Sequence, residues 1–414
     1  MATPSVCVGM AALCFVGCAQ SRPSGPSPLD ADAALPPELE APDADAALVP
    51  DAAASDAADV GPPDGTGAPD ASLMDAPRDV AAPFDAGSPS SALNRVFVSS
   101  ETLAMDLGGV GPYDAACNRL ATRAGLQGAD DARFMAWMSD AASTAASRLG
   151  PARGFVRMDG QPFADDVLAS EVFRGVAFDE TGARVPPEEV VATGTDAEGA
   201  RSANHCRDWT DATQGMTTGR ADGGPRAWTS RGSSTCSPRR IYCIENVHSR
   251  EVVPEREAGR LIYLTNDDFE PGGSVTPAAA CEASKPAGAG DIAPLLATGT
   301  SAASEVLDPA ATYVRPDGVA VGTGAQLAVG EWRTGAWQQG DGTYPSEVRR
   351  VWTGSERIDA LGDTSCDDWG SDSSDIRGHY GFPASPVNGA FWTLRTRRCA
   401  SASDLRLYCV ETGS

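Results

Sequence analysis

Apolar and polar residues alternate in Arg95-Val-Phe-Val-Ser99, and the β-branched content predicts a strand. Gly108-Gly-Val-Gly-Pro112 breaks it. Over residues 113–124 the apolar period lengthens. Cys117, Leu120, Ala121 and Ala124 then fall at i, i+3, i+4 and i+7 on one helix face, with Gly125 as C-cap. Phe134-Met-Ala-Trp-Met138 is a compact apolar run that predicts a buried strand. Residues 144–149 predict a short helix, and 154–157 another strand. Residues 159–203 read as loop, with Asp179-Glu-Thr-Gly182, Pro186-Pro187 and Gly194-Thr-Asp196. Short strands return around Trp228 and over 240–244.

The pattern then recurs. Arg260-Leu-Ile-Tyr-Leu264 restarts the strand, Cys281 falls at the helix position, and Lys285-Pro286 must cut that helix short. Four cysteines occur twice: Cys117, Cys206, Cys236 and Cys243, then Cys281, Cys366, Cys399 and Cys409. Cys206-Arg-Asp-Trp209 answers to Cys366-Asp-Asp-Trp369, and Ala227-Trp-Thr229 to Phe391-Trp-Thr393. Arg240-Ile-Tyr-Cys-Ile-Glu245 answers to Arg406-Leu-Tyr-Cys-Val-Glu411. The copies have diverged. Residues 292–297 replace the Trp137 run without an aromatic, and Trp352 stands where the first copy has Ala192.

An even number of cysteines at repeated spacings reads as disulfides, hence an oxidising compartment. Of three pairings, Cys117 to Cys243 and Cys206 to Cys236 is favoured. The first staples the ends of the copy and the second closes its loop-rich middle. The same logic pairs Cys281 with Cys409 and Cys366 with Cys399. Bridges closing about 30 and about 125 residues contribute at most about 3.6 and about 5 kcal/mol in the loop-entropy account.

Composition adds an export signal and a spacer. Residues 6–17 form an apolar run too short to span a bilayer, ending in Phe15-Val-Gly-Cys18-Ala-Gln20. Gly17-Cys18 resembles the bacterial lipobox, which implies a diacylglyceryl thioether on Cys18. Residues 1–5 carry no Lys or Arg, and Phe15 stands where Leu or Val is usual. Residues 19–93 hold fourteen Asp or Glu against Arg22 and Arg78, with thirteen prolines and one aromatic, Phe84. Such a stretch cannot bury enough apolar surface to offset its ordering entropy, so it reads as a disordered tether. The net charge of −25 argues against nucleic acid and against anionic membrane surfaces as general partners.

The first-helix cysteine, the tryptophan-bearing strand, the C-x-x-W words and the terminal Tyr-Cys-x-Glu strand resemble the C-type-lectin-like superfold in its endostatin-like branch. The chain is most similar to the bacterial lipoprotein family known as domain of unknown function 1554. Ala136-Trp-Met-Ser-Asp140, Ala145-Ala-Ser-Arg-Leu149, Thr193-Gly-Thr195 and Trp352-Thr-Gly354 also carry that likeness, over about 300 of the 414 residues. It implies an α+β fold with two tandem lectin-like modules. The boundaries are 1–18 signal peptide, 19–93 tether, 94–246 first module, 247–259 connector and 260–412 second module.

The sugar-binding words of calcium-dependent lectins (Glu-Pro-Asn or Gln-Pro-Asp with Trp-Asn-Asp) are missing, so no cofactor is expected. Asp367, Asp368 and Asp372 form a candidate calcium set ranked below a solvated loop. The three histidines, His205, His248 and His379, lack the surroundings of a catalytic triad, and no Gly-x-Ser-x-Gly elbow occurs. No catalytic or metal residue is assigned. Trp209, Trp228, Trp369 and Trp392 read as core. Trp332, Trp337 and Tyr344 in a glycine-rich stretch are a candidate ligand loop, ranked below core or interdomain packing.

The function expected is a lipid-anchored protein of the bacterial outer membrane or cell surface, displaying its modules to a glycan or extracellular protein without catalysis. The alternatives are an exported enzyme acting on glycans and a purely structural envelope protein. Metabolic labelling with palmitate tests the anchor. A Cys18→Ala variant should lose both the label and membrane association, and a labelled, membrane-bound variant would refute the assignment.

Overall fold

The computed structural model describes residues 93–126, 134–169, 171–345, 350–384, 391, 395–400 and 404–413. All lie in one compact unit, Ala76–Ser414. Cys18, the tether and Trp392 fall outside the described residues.

The first half begins with β1 (Asn94–Val98), followed by α1 (Gly111–Arg123), β2 (Phe134–Ala136), α2 (Ala145–Leu149), β3 (Phe155–Arg157) and β4 (Pro162–Ala164). After β5 (Val190–Ala192) come a turn α3 (Cys206–Trp209), β6 (Gly215–Arg220), β7 (Gly232–Thr235) and β8 (Arg240–Glu245). The sheet runs β4-β3-β1-β8-β5-β6-β7, with β2 also on β8. β1 lies antiparallel to β8 and parallel to β3.

The second half has β9 (Arg260–Leu264), α4 (Pro277–Ala283), β10 (Asp291–Pro294), a 3-10 turn at Ala303–Val306, β11 (Thr312–Val314) and β12 (Ala320–Thr323). It continues with α5 (Gly324–Ala328), β13 (Arg350–Trp352), β14 (Arg377–Gly381), β15 (Thr396–Arg398), β16 (Leu405–Arg406) and β17 (Tyr408–Gly413). Its sheets run β10-β17-β9-β11-β12 and β15-β14-β13-β16. This is the path of the first half, broken between β16 and β17. β9 lies antiparallel to β17 and parallel to β11, as β1 does to β8 and β3.

Strand periodicity explains the core. Side chains alternate between faces, and the central strands are buried on both. Val96, Val98, Tyr242 and Ile244 enter one cluster, whereas Phe97, Ile241 and Cys243 enter another. In the second half Ile262, Leu264, Tyr408 and Val410 share one cluster, and Tyr263 and Cys409 the other. α1 packs through Tyr113, Cys117, Leu120 and Ala121, while Ala124 is only half-buried. Gly125, at φ 70°, ends the helix.

Four disulfides join Cys117 to Cys243, Cys206 to Cys236, Cys281 to Cys409 and Cys366 to Cys399. The glutamate of each Tyr-Cys-x-Glu strand adds a second lock on the opening strand. Glu245 accepts the Arg95 backbone N–H at 3.0 Å and its Nε at 2.8 Å. Glu411 accepts the Leu261 N–H at 3.0 Å and the Gly290 N–H at 2.6 Å. Arg240 and Arg406 tie the other end by donating to the Ser99 and Asn266 carbonyls at 2.6 and 2.5 Å.

Residues 247–259 are not a bare connector. Val252 is buried with Val156 and Phe173 of the first half and Val319 of the second, so the halves share core.

Glu245 is buried, so Glu245→Ala leaves Arg95 without its partner. Urea denaturation should show a loss of about 3 kcal/mol. Glu411→Ala, at a half-exposed carboxylate, should cost less.

Candidate functional site

The C-x-D-W words form a device that composition does not announce. Residues 206–209 have φ of 50, 50, 57 and 60°, and residues 366–369 have 52, 54, 49 and 69°. Each word is one left-handed turn. That conformation costs an L-residue about 1–2 kcal/mol and persists only where surroundings hold it. Here the cysteine is bridged. The tryptophan is buried, its indole donating to the Ser139 carbonyl at 2.9 Å or the Ala297 carbonyl at 3.0 Å. The aspartate accepts a loop N–H, Ala141 at 2.7 Å for Asp208 and Gly299 at 2.6 Å for Asp368. His205 Nδ1 and Ser365 Oγ accept the N–H of those aspartates at 2.8 and 3.3 Å. His205 therefore caps a turn. The Asp368 carboxylate is committed to Gly299 and to the Ser365 hydroxyl. Among the described residues no group of three or more His, Cys, Asp or Glu is placed to hold a metal ion.

The candidate ligand loop faces inward instead of toward solvent. Trp332 is 3% exposed and rests on Tyr408, ring centroids 5.5 Å apart. Trp337 is fully buried and belongs to the core of the other half, among Trp228, Val172 and Val176. Its indole donates to the Val172 carbonyl at 2.8 Å. It approaches Gly224 so closely that a Cβ there would lie 2.4 Å from the ring. Large apolar rings gain more from this burial than from exposure. Glycine at 224 provides the space.

Arg315 completes this clasp. It has no exposed surface. Its Nη2 donates to the Phe173 carbonyl at 2.7 Å and to Asp317 at 2.7 Å, and its Nη1 donates to the Gly335 carbonyl at 3.1 Å. Its guanidinium lies 4.7 Å from the Trp337 ring. Tyr344 donates to Asp317 at 2.5 Å. Burial raises the Asp317 pKa, but the Arg315 charge and hydrogen bonds from Arg315, Tyr344 and Val319 bring it below the usual carboxylate range. The first half holds the counterpart. Arg157 pairs with Asp159, donates to the Gly175 carbonyl at 3.0 Å, and lies 4.9 Å from the Phe178 ring. The shared signal, Arg157-Met-Asp-Gly160 against Arg315-Pro-Asp-Gly318, is legible in the chain once the register is known.

With the aromatics consumed, one concave feature among the described residues is a depression of about 410 Å³ on the first half. Leu149, Pro151, Ala152 and Leu168 form its apolar wall, with Arg153, Asp165 and Asp166 as its charged side. Arg153 donates through Nε to Asp165 at 3.1 Å, and Asp165 also accepts the Val252 N–H at 2.8 Å. Leu168 is 39% exposed. In the second half α5 follows β12 where residues 165–168 follow β4 in the first. The Gly324 and Ala325 N–H groups donate to the Ala311 and Pro309 carbonyls at 2.9 and 3.1 Å.

No protein-family model matches the chain, and no curated protein matches it.

Trp337→Ala removes the wedge between the halves and should cost about 3–5 kcal/mol. Calorimetry should show a lower midpoint and separate transitions for the two halves. The lowered Asp317 pKa has a defined consequence in acid. Its contribution is complete above the unfolded aspartate value of about 3.9 and is lost as pH falls through the lower folded value. Asp317→Asn should flatten that acid limb in a pH series of unfolding midpoints.

Proposed function

We propose that the protein is an exported, lipid-anchored envelope protein whose two lectin-like modules act as one paired head to bind a glycan or extracellular protein without catalysis. Four disulfides fit an oxidising, extracellular environment. Among the described residues all eight cysteines are bridged, so none is a free thiol nucleophile. No described helix is long and apolar enough to cross a membrane, and the Cys18 lipid supplies attachment in this reading.

The observation that carries the binding assignment is the contrast between halves. The first half has a depression with an exposed leucine beside a charged edge, and in the second half α5 stands after β12 with its first N–H groups bonded to Pro309 and Ala311. Duplicated folds free one copy to diverge, and concave surfaces with few convergent polar groups are where ligands bind. The apolar wall suits the carbon face of a sugar or a short side chain. Arg153, Asp165 and Asp166 offer hydrogen bonds at its rim.

The test is capture of the soluble full-length chain, with Cys18 replaced by serine, on glycan and matrix-protein arrays. Binding to at least one surface should fall about tenfold or more in Leu168→Glu, which places charge on the wall. Val329→Glu, an exposed change on the second half, should leave binding intact. A flat result across all surfaces would replace this reading with a structural envelope role.

A further inference from the structure

The two bridges of each half sit in different surroundings. Cys243 lies in β8, between β1 and β5, and Cys409 lies in β17, between β10 and β9. Their partners Cys117 and Cys281 are on α1 and α4, so each outer bridge ties a helix to the middle of a sheet. The inner bridges end at sheet margins. Cys236 directly follows β7, and Cys399 directly follows β15, each the terminal strand of its sheet among the described residues. Gly232, Ser233 and Thr235 of β7 are exposed. All eight cysteines are at most 1% exposed, so a reductant reaches a sulfur only when its surroundings open. Marginal strands open by local fluctuation, whereas central strands open with the whole sheet.

Two further differences point the same way. Cys206 and Cys366 each begin a run of four residues at positive φ, a conformation that persists only where its surroundings hold it. The inner bridge is one of those holders, so cutting it relieves strain, whereas none of the four outer cysteines is at positive φ. The inner bridges span 30 and 33 residues against 126 and 128 for the outer ones. Opening an inner bridge therefore costs the fold less closure entropy.

We propose that the inner bridges are a redox-sensitive device, in which a dithiol reductant opens Cys206–Cys236 and Cys366–Cys399 while the outer bridges stay closed. One thiolate of the dithiol attacks the Cys236 sulfur, and Cys206 leaves as a thiolate and takes a proton. The second thiolate of the reductant attacks the mixed disulfide. Cys236 then leaves and takes a proton, and the reductant ends as a disulfide, two electrons poorer. Cys399 and Cys366 follow the same course. The freed turn is tied to its half through Trp209, which donates to the Ser139 carbonyl, and Asp208, which accepts the Ala141 N–H. Ser139 Oγ in turn accepts the N–H of Ala145 at the start of α2, at 2.9 Å. Reduction thus loosens residues 139–145 while the first and last strands remain stapled. This holds whatever the protein binds.

The experiment titrates the soluble full-length chain, with Cys18 replaced by serine, with dithiothreitol in the absence of denaturant. Iodoacetamide quenching and mass mapping then locate the opened bridges. Cys206, Cys236, Cys366 and Cys399 should be alkylated at about tenfold lower reductant, or less, than Cys117, Cys243, Cys281 and Cys409. The partly reduced chain should keep its far-UV spectrum, while hydrogen exchange over residues 139–145 quickens about tenfold. The double variant Cys206→Ala, Cys236→Ala should show the same quickening without reductant. An outer bridge that opens before or together with the inner bridge of its half would overturn the proposal. So would inner bridges that open only as the far-UV spectrum is lost, or unchanged exchange over residues 139–145 after selective reduction.

Discussion

Everything in each half depends on the antiparallel pairing of its first and last strands. β1 on β8, and β9 on β17, bring residues about 150 positions apart into one ladder. The entropy of closing so long a loop weighs against that pairing, and it is held by several interactions at once. A helix cysteine bridges the last strand, a glutamate on that strand takes the N–H of the opening strand, and an arginine at its start (Arg240) or just before it (Arg406) donates to carbonyls beyond the opening strand. Once the ends are closed, the short strands between them have a fixed edge on which to build. This explains how so loop-rich a chain keeps a buried core.

The left-handed turns apply the same logic on a smaller scale. A turn of unfavourable hand places cysteine and tryptophan inward and aspartate against a neighbouring loop. The inner disulfide, the buried indole and the aspartate hydrogen bonds offset the backbone cost. The C-x-D-W words are thus scaffold, which removes them from the search for a ligand and leaves the surfaces where the copies differ.

Divergence between the halves converts a duplication into a heterogeneous pair. Trp337 has become the wedge that enters the other half's core, and Arg315 donates across to Phe173 where Arg157 donates within its own half. α5 follows β12 in the second half, where the first half has no helix after β4. The shared cluster around Val252 and Val319 makes the pair a single folding problem.

Local pattern alone determined a good deal. The 3.6-residue period marked α1, the alternation marked β1, and Lys285-Pro286 ended α4 early. The spacing of eight cysteines pointed to the bridges found. These signals are legible because they are properties of neighbouring residues or of a repeat compared with itself. The destination of Trp337 was not legible. A tryptophan in a glycine-rich stretch has the same local surroundings whether it faces solvent or another half's core, and the decision rests on Gly224, over a hundred residues away. The depression was hidden for a similar reason, since residues 149–153 and 165–168 meet only through the pairing of β3 with β4. The sequence by itself marked β1, β8, β9, α1, α2 and the cysteine pairs that point to an oxidising compartment, while it read β4 and β5 as loop and placed a strand at Trp228 where the chain turns. Tertiary structure decided which aromatics became core, because burial depends on contacts that close only when the whole chain is folded.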